Sequence, residues 1–417
     1  MTQDKLEEIK DPEMDEGISD KEILALKNAF LEHFLNLGLP ALNGDRNENH
    51  LNKETIRYSH SLQRKEIFKR EMKTIGRYGK ILQEHFAYGD EIDPEKIQPE
   101  LVPVLADKMT SYLFRYACLL WSVPVSTGYG RRIRFLVRDK QNNKLIGLFA
   151  LGDPVFNLKV RDELIGWDQA DRRKRLVNLM DAYVVGAVPP YNDLLGGKLI
   201  ASLMCSKEVN DFFAQKYKNN VGVISKVQKS PQLVLITVTS ALGRSSLYNR
   251  LKLVRDGEEI VNFKKIGETE GYGHFQIPND LFEKLRKLLE QENHPYANGH
   301  QFGQGPNWKL RVTRVGLKRI GLDDNLIRHG IRREVYASAL ASNYKAYLQG
   351  LEAEPNLALA SVETISEAAK ERWILPRAAS RTGWKTFRRE AIDNLLPYEN
   401  QYEDGLFDKI NIHDGKG

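Results

Sequence analysis

The stretch KLIGLFALGDPVFNLKVRDELIGW, residues 144–167, decides how this chain is read. Two apolar segments are joined by Gly152-Asp153-Pro154 and lead into charge and a Trp-Asp pair that opens WDQADRRKR. Three roles compete for it: a hairpin in a core, the wall of an active site, or a surface that meets another macromolecule. Upstream, RRIRFLVRD (131–139) alternates as a strand does, QNNK is a turn, and LIGLFALGD (145–153) is a second strand, so the pair reads as a hairpin. Downstream, DQADRRKRLVNLMDAYVVGAVPPY predicts a short basic helix and then a strand over 181–188. NDLLGGKLIASLMCS turns directly into a helix, SKEVNDFFAQKY begins another, and QLVLITVTSAL is the most strand-like run of the chain. SSLYNRLKLV is expected as a short helix, GEEIVNFKKIGETEGYGHFQIP as late strands, and NDLFEKLRKLLEQ as a closing helix.

Farther out, SDKEILALKNAFLEHFLNLG reads as a helix capped by Ser19 or Asp20, with Leu24, Phe30, Leu31, Phe34 and Leu35 at helical spacing. KETIRYSHSLQRKEIFKREMKTIGRYG predicts a long, strongly basic helix, and DKMTSYLFRYACLLWS a shorter apolar one. Between them GDEIDPEKIQPELVPV is expected as a linker broken by Pro94, Pro99 and Pro103. The C-terminal third holds NWKLRVTRVGLKRIGL, expected as a strand, the helix SVETISEAAKERWI, and the basic, aromatic RAASRTGWKTFRRE. The expected division is an acidic disordered N-terminus (1–20), a helical region (21–110), a central domain (111–290) and a basic extension (291–417).

With 417 residues, 41% apolar and 28% charged, the chain has the composition of a globular protein of two or three domains. Net charge is only +6, yet acidic residues crowd the N-terminus, so cations accumulate farther along and suggest an anionic partner. Cys118 and Cys205 stand apart in apolar surroundings, which predicts buried thiols in a reducing compartment. No apolar run approaches the roughly 20 residues of a membrane span, and the acidic start is unlike a signal peptide, so the expectation is a cytoplasmic protein with no membrane partner. No Walker loop, zinc spacing, nucleophile elbow or nuclease carboxylate cluster occurs, so neither ATPase nor helicase activity nor a metal site is expected.

From Ile133 to Pro278 the order is strand, strand, helix, strand, glycine turn, helix, strand, helix, strand, strand. That order resembles acyltransferases of the Gcn5-related type, implying an α/β (α+β) fold with a mixed-sheet core. In those enzymes a turn binds the pyrophosphate of acyl-coenzyme A at a helix N-terminus. Gly196, Gly197 and Lys198 would be that turn here, and Tyr248 would be the proton donor near the coenzyme sulfur. The usual turn is Arg or Gln, two residues, Gly, one residue, then Gly or Ala; Asn192 and Leu195 depart from it. A plain strand-to-helix turn explains the glycines equally well, so the cofactor stays open.

LIGLFALGDPVFNLKVRDELIGWDQADRRKRL, VPPYNDLLGGKLIASL, GYGHF and HGIRREVYASAL together resemble the DruA family, over roughly residues 110–345. That family is the first component of Druantia anti-phage defence systems and is reminiscent of the Mom-like DNA-modification branch of the acyltransferase fold. The resemblance implies defence against phage and action on or near nucleic acid, without a settled reaction or agreed catalytic residues.

Within RDELIGWDQADRRKR, Arg161, Asp162, Glu163 and Asp168 are candidates to line a cleft, Glu163 and Asp168 for catalysis and Trp167 for stacking on a base. The plainer alternative makes Trp167 a core aromatic and Asp168 the N-cap of the following helix. Arg172, Arg173 and Arg175 are phosphate-contact candidates. Arg132 and Arg134 share a strand face beside Tyr129, and Arg244 lies just past a strand end. Lys309 to Arg333 holds eight Lys or Arg against two Asp. With Trp308, Arg314, Arg319, Trp384 and Arg388 it makes the last third the strongest nucleic-acid candidate. His274, between glycines, is a weak ligand candidate. DNA and a helicase-like defence protein are the expected partners. A coenzyme-dependent transferase and a non-catalytic assembly scaffold are the other readings, and the oligomeric state is open.

Overall fold

A computed structural model describes residues 19–36, 53–125, 128, 130–221, 228–229, 231–241, 243–271, 277–298, 306–327 and 332–397. The segment expected to be disordered, through residue 18, lies outside them, as do Tyr129 and His274. In chain order, helices α1 (Asp20–Asn36) and α2 (Lys53–Gln83) precede strand β1 (Pro99–Pro103) and helix α3 (Lys108–Cys118). Strands β2 (Arg132–Asp139) and β3 (Lys144–Gly152) lead to α4 (Lys159–Ile165), α5 (Gln169–Arg175), β4 (Leu179–Ala187), α6 (Gly196–Leu203) and α7 (Lys207–Tyr217). Next come β5 (Asn220–Val221), β6 (Gln228–Lys229), β7 (Leu235–Thr239), β8 (Lys252–Arg255), β9 (Glu258–Asn262) and β10 (Lys264–Glu268). Last are α8 (Asn279–Gln291), α9 (Pro306–Arg319), β11 (Glu334–Ala339), α10 (Tyr344–Gln349), α11 (Val362–Ala369) and α12 (Leu375–Ser380).

The chain divides into two units, residues 1–49 with 273–329 and residues 50–272 with 330–417, which departs from the expected boundaries at 110 and 290. The larger unit is a mixed α/β structure. Its seven-stranded sheet has the order β1-β2-β3-β4-β7-β11-β10, and β4–β7 is the single parallel pair. The expected hairpin is present: β2 pairs with β3 from Arg132↔Gly152 to Asp139↔Lys144, and Asn143 at φ 57° closes the turn. Period-two alternation sends Ile133, Phe135 and Val137 toward α6 and α7, and Leu136 toward α2 and α3. Both faces of β3 are covered, which is why it reads as a nearly unbroken apolar run.

Three local expectations are corrected by packing. The linker around Pro99 and Pro103 is the edge strand β1, a place where prolines are tolerated because no outer neighbour needs their N–H. SSLYNRLKLV is a turn followed by β8; Arg250, at φ 61°, breaks any helix before the β8–β9 ladder begins. In the smaller unit, NWKLRVTRVGLKRIGL is helix α9 and not a strand. Its apolar residues alternate locally, but Trp308, Val312, Gly316 and Ile320, at four-residue spacing, fall on one helical face and are buried. The stripe of α8 (Leu281, Phe282, Leu285, Leu288, Leu289) selects that face, and a Cβ on Gly316 would come within 2.9 Å of Leu285.

The stretch read as a basic extension does not stay outside the core. Strand β11 is an inner strand of the sheet, pairing with both β7 and β10. Helix α11 packs on α6, continues through a π turn at Lys370–Ile374, and the chain then delivers Trp384 to the main core at 3% exposure. Cys205 is buried and donates to Ser338 Oγ (3.3 Å), while Cys118 is half-buried; both are free thiols. Among the described residues no helix is long and apolar enough to cross a membrane.

Candidate functional site

The start of β2 gathers positive charge. Arg132 is exposed; Arg134, two residues on and therefore on the same side, holds its guanidinium 5.6 Å over the Phe114 ring of α3. Lys216, at the end of α7, donates its ammonium to the Arg132 carbonyl (2.7 Å) and lies 5.8 and 5.6 Å from the rings of Phe212 and Tyr217. The Tyr217 hydroxyl donates to the same carbonyl at 3.0 Å. Tyr183 of β4 lies alongside, in space left by two glycines. A Cβ on Gly152 would sit 3.1 Å from its ring, and one on Gly128 2.8 Å from it.

The electrostatics here are those of like charges crowded together. Burial, and then the charges of Arg134 and Arg132, pull the Lys216 ammonium below its ordinary pKa. Burial pushes the Tyr183 phenol up to about 12, against the opposing pull of Arg134 and Arg132. Asp153, at the end of β3, is occupied by Arg131, accepting from its Nε and its backbone N–H at 2.8 Å each. A cationic edge with aromatic faces and exposed guanidinium is suited to phosphate contact.

The segment RDELIGWD builds a second cluster beside it in sequence. Arg161 is fully buried. Its Nε and Nη2 donate to Asp162 Oδ1 (2.9 and 2.6 Å), and Nη1 and Nη2 to the carbonyls of Val155 (2.7 Å) and Phe156 (2.9 Å). Arg172 of α5 donates to the other oxygen of Asp162 at 2.9 Å, so one carboxylate bridges two guanidiniums. Asp181 joins the same network through Val155, whose N–H it accepts at 3.3 Å, and it also accepts the Thr237 hydroxyl. It sits at the last residue pair of the parallel ladder, beyond which β4 and β7 part. Burial lifts its carboxyl to about 6, with the Arg161 charge pulling the other way.

An open concavity of about 370 Å³ lies over this network, walled by Asn157, Lys159, Glu163, Trp167 and Arg172 among others. The family model described as "DruA: Druantia protein DruA" matches residues 50–350. Druantia protein DruA of Escherichia coli (strain UMEA 4076-1) is 49% identical over 393 residues, covering 93% of this chain and 95% of that protein. This chain belongs to the DruA family. No solved structure matches it.

The expected site residues of this DruA-family chain are scattered by the fold. Glu163 is exposed on the wall of the concavity, whereas Arg161 lies beneath it. Trp167 is 7% exposed, with its indole N–H donating to the Leu348 carbonyl at 2.7 Å, so most of its surface is committed to packing and only a margin borders the concavity. Trp384 is likewise a core residue and is corrected in the same way. Asp168 caps α5: it accepts the Asp171 N–H (2.8 Å), and that bond holds its carboxyl below the usual range. Its role is structural. Arg173 is exposed on α5, while Arg175 is wedged against Gly350. Arg244, just past β7, is exposed. Arg314 forks onto Asp324 (3.0 and 2.9 Å), Arg319 pairs with Glu292 (2.5 Å), and Arg388 pairs with Asp90 (3.0 Å), so these three cations are already countered.

Most amides of the glycine turn are already bonded within it. The N–H groups of Leu194, Leu195, Gly196 and Lys198 donate to the carbonyls of Tyr191, Asn192, Tyr191 and Leu195, at 2.9–3.2 Å. Gly196 is explained by packing, since a Cβ there would meet the Tyr191 backbone and the Ala187 side chain. Lys198 holds its ammonium 5.4 Å over the Trp373 ring. Tyr248 is 6% exposed between Phe263 and Tyr336, at ring distances of 5.5 and 5.7 Å, and burial drives its phenol far above the ordinary range. Lys216 and Tyr183, by contrast, were not legible as partners of Arg132 and Arg134. No local pattern marks them, because their meeting depends on α7 and β4 both reaching the start of β2.

Proposed function

We propose that this chain is the nucleic-acid-binding component of a Druantia-type anti-phage defence system, acting on phage DNA together with partner proteins, a helicase-like protein among them. The observation that carries the reading is the crowding of Arg132, Arg134 and Lys216 at the start of β2, where burial and then the two guanidinium charges depress the Lys216 ammonium and aromatic rings lie alongside. Neighbouring cations at this density favour an anionic ligand that relieves their repulsion. Membership of the family supports the defence role.

The strand order and the single parallel pair support a Gcn5-related acyltransferase-like scaffold for the core. Because the amides of Leu194, Leu195, Gly196 and Lys198 are already bonded within the turn and Tyr248 is buried, we read that scaffold as a binding platform with no coenzyme chemistry routed through it. Calorimetry with acetyl-coenzyme A is expected to give no binding heat.

The test is titration of labelled single- and double-stranded DNA at several salt concentrations, comparing the natural protein with the combined Arg132→Ala, Arg134→Ala, Lys216→Ala variant. Removing three phosphate contacts is expected to lower the slope of log affinity against log salt by about 2–3 on duplex DNA. A protein that binds neither form of DNA at low salt sinks the proposal.

A further inference from the structure

Helix α2 carries a cationic surface separate from the residues discussed so far. Its inner face is set by Ile56, His60, Arg64 and Phe68 at four-residue spacing, followed by Leu82, all buried. Opposite them, Lys69, Arg70, Lys73, Gly76, Arg77 and Lys80 are exposed. At 1.5 Å per residue, the ridge from Lys69 to Lys80 is roughly 16 Å long.

Its cations neighbour one another at i,i+3 and i,i+4: Lys69 with Lys73, Arg70 with Lys73, Lys73 with Arg77, and Arg77 with Lys80. Such like-charge pairs destabilise a helix unless something outside it offsets them. Of the carboxylates nearby, Glu71 is taken by Arg115 of α3 at 2.9 Å, and Glu66 is exposed one turn before Arg70. Among the described residues, Arg70, Lys73 and Lys80 form no ion pair, and Arg77 lies 5.2 Å over the Tyr78 ring.

Gly76 is the second feature. Among the described residues, a Cβ built there meets nothing within 4 Å, so their packing does not call for glycine. Glycine is a poor helix former, and at an exposed helical position its specific gift is a backbone that another molecule can approach closely.

We propose that the exposed face of α2 from Lys69 to Lys80 docks the phosphate backbone of duplex DNA, with Gly76 at the point of closest approach. This rests on the nucleic-acid reading given above. The charge of the ridge selects a polyanion, and its chemistry selects a duplex over a single strand. Single-strand sites hold bases on exposed aromatic faces. Here the aromatic residue, Tyr78, is half-buried and stacked on Tyr112 at 5.1 Å, so the ridge offers a ligand cations, flanked by the exposed apolar side chains of Met72 and Ile81, and no exposed ring.

The experiment uses the full chain and a labelled random-sequence duplex, read by fluorescence anisotropy across a salt series, with thermal melting as the control for folding. The combined Arg70→Ala, Lys73→Ala, Lys80→Ala variant is expected to lose about 2.7 from the salt slope, at 0.9 per lost contact. Gly76→Glu places a carboxylate in open space amid the ridge; it is expected to leave the melting temperature nearly unchanged and to weaken duplex binding about tenfold. If the natural protein binds duplex steeply with salt and both variants match it, the α2 assignment is overturned while the site at Arg132, Arg134 and Lys216 stands. If the variants lose single-strand binding and keep duplex binding, the choice of duplex is overturned. If they lose affinity only for an acidic polypeptide such as polyglutamate, the face belongs to a protein partner and the proposal fails. A natural protein that binds no DNA overturns both readings together.

Discussion

Replacing Asp162 by alanine should be among the most destabilising single changes in the larger unit, although the residue lies in a short surface helix. Its carboxylate receives two hydrogen bonds from fully buried Arg161 and one from Arg172, at 2.6–2.9 Å. Each charge-assisted bond is worth roughly 1.5–3 kcal/mol, and removing one partner of a buried pair strands the other charge at a cost of about 3–5 kcal/mol. Two carbonyl acceptors, Val155 and Phe156, remain for Arg161, and the open concavity lets water reach Arg172. We therefore expect a loss of about 4 kcal/mol, toward the middle of that range. In a unit of roughly 300 residues the melting temperature would fall by about 6 °C. The assay is urea unfolding followed by circular dichroism, with thermal melts in parallel and a double-mutant cycle using Arg172→Met to isolate the bridge. A loss below about 1 kcal/mol would show that the two carbonyls suffice to hold Arg161, and the bridging argument would be refuted.

Three further outcomes are expected. Burial, and then the Arg333 charge, hold the His60 imidazole down at about 4 from its ordinary 6.5, so the unfolded chain binds the proton more readily and stability falls as pH drops from about 6.5 to about 4; His60→Leu should flatten that limb in pH-dependent urea melts, and an unchanged limb would remove His60 as its source. Asp181 behaves oppositely: with its folded carboxyl lifted to about 6 from 3.8, stability declines as pH rises through that interval. Asp181→Asn should therefore gain stability at pH 7 relative to the natural protein and lose the advantage below pH 4; an advantage independent of pH would contradict this. Trp167→Phe keeps the packed ring and removes the bond to Leu348, which should cost about 1 kcal/mol of stability and leave DNA affinity intact. An affinity loss worth about 1–3 kcal/mol would instead point to base stacking.

Several elements were legible because their signals are local. The β2–β3 hairpin announces itself by alternation, a turn and an apolar run within two dozen residues, and the cap of α5 by Asp168 ahead of its cations. Helices α2, α6, α7 and α8 likewise follow from spacing and flanking residues. The sequence by itself also identified Arg132 and Arg134 as neighbours on one face, since strand geometry admits no other arrangement.

What it left open was decided by partners far away along the chain. Whether LRVTRV alternates as a strand or winds as a helix depended on the stripe of α8, and a proline-rich stretch became β1 only because β2 offered it an edge. Trp167 is buried because Leu348, 181 residues later, accepts its N–H, and Trp384 because the chain folds back onto the core. Arg314 and Arg319 look as basic in the sequence as Arg70 and Lys73, yet the former meet Asp324 and Glu292 while the latter face outward from α2. Residue type and period set the local geometry, which short-range sterics determine. Exposure and the pairing of charge depend on what packs against each side chain, and only the folded chain decides that.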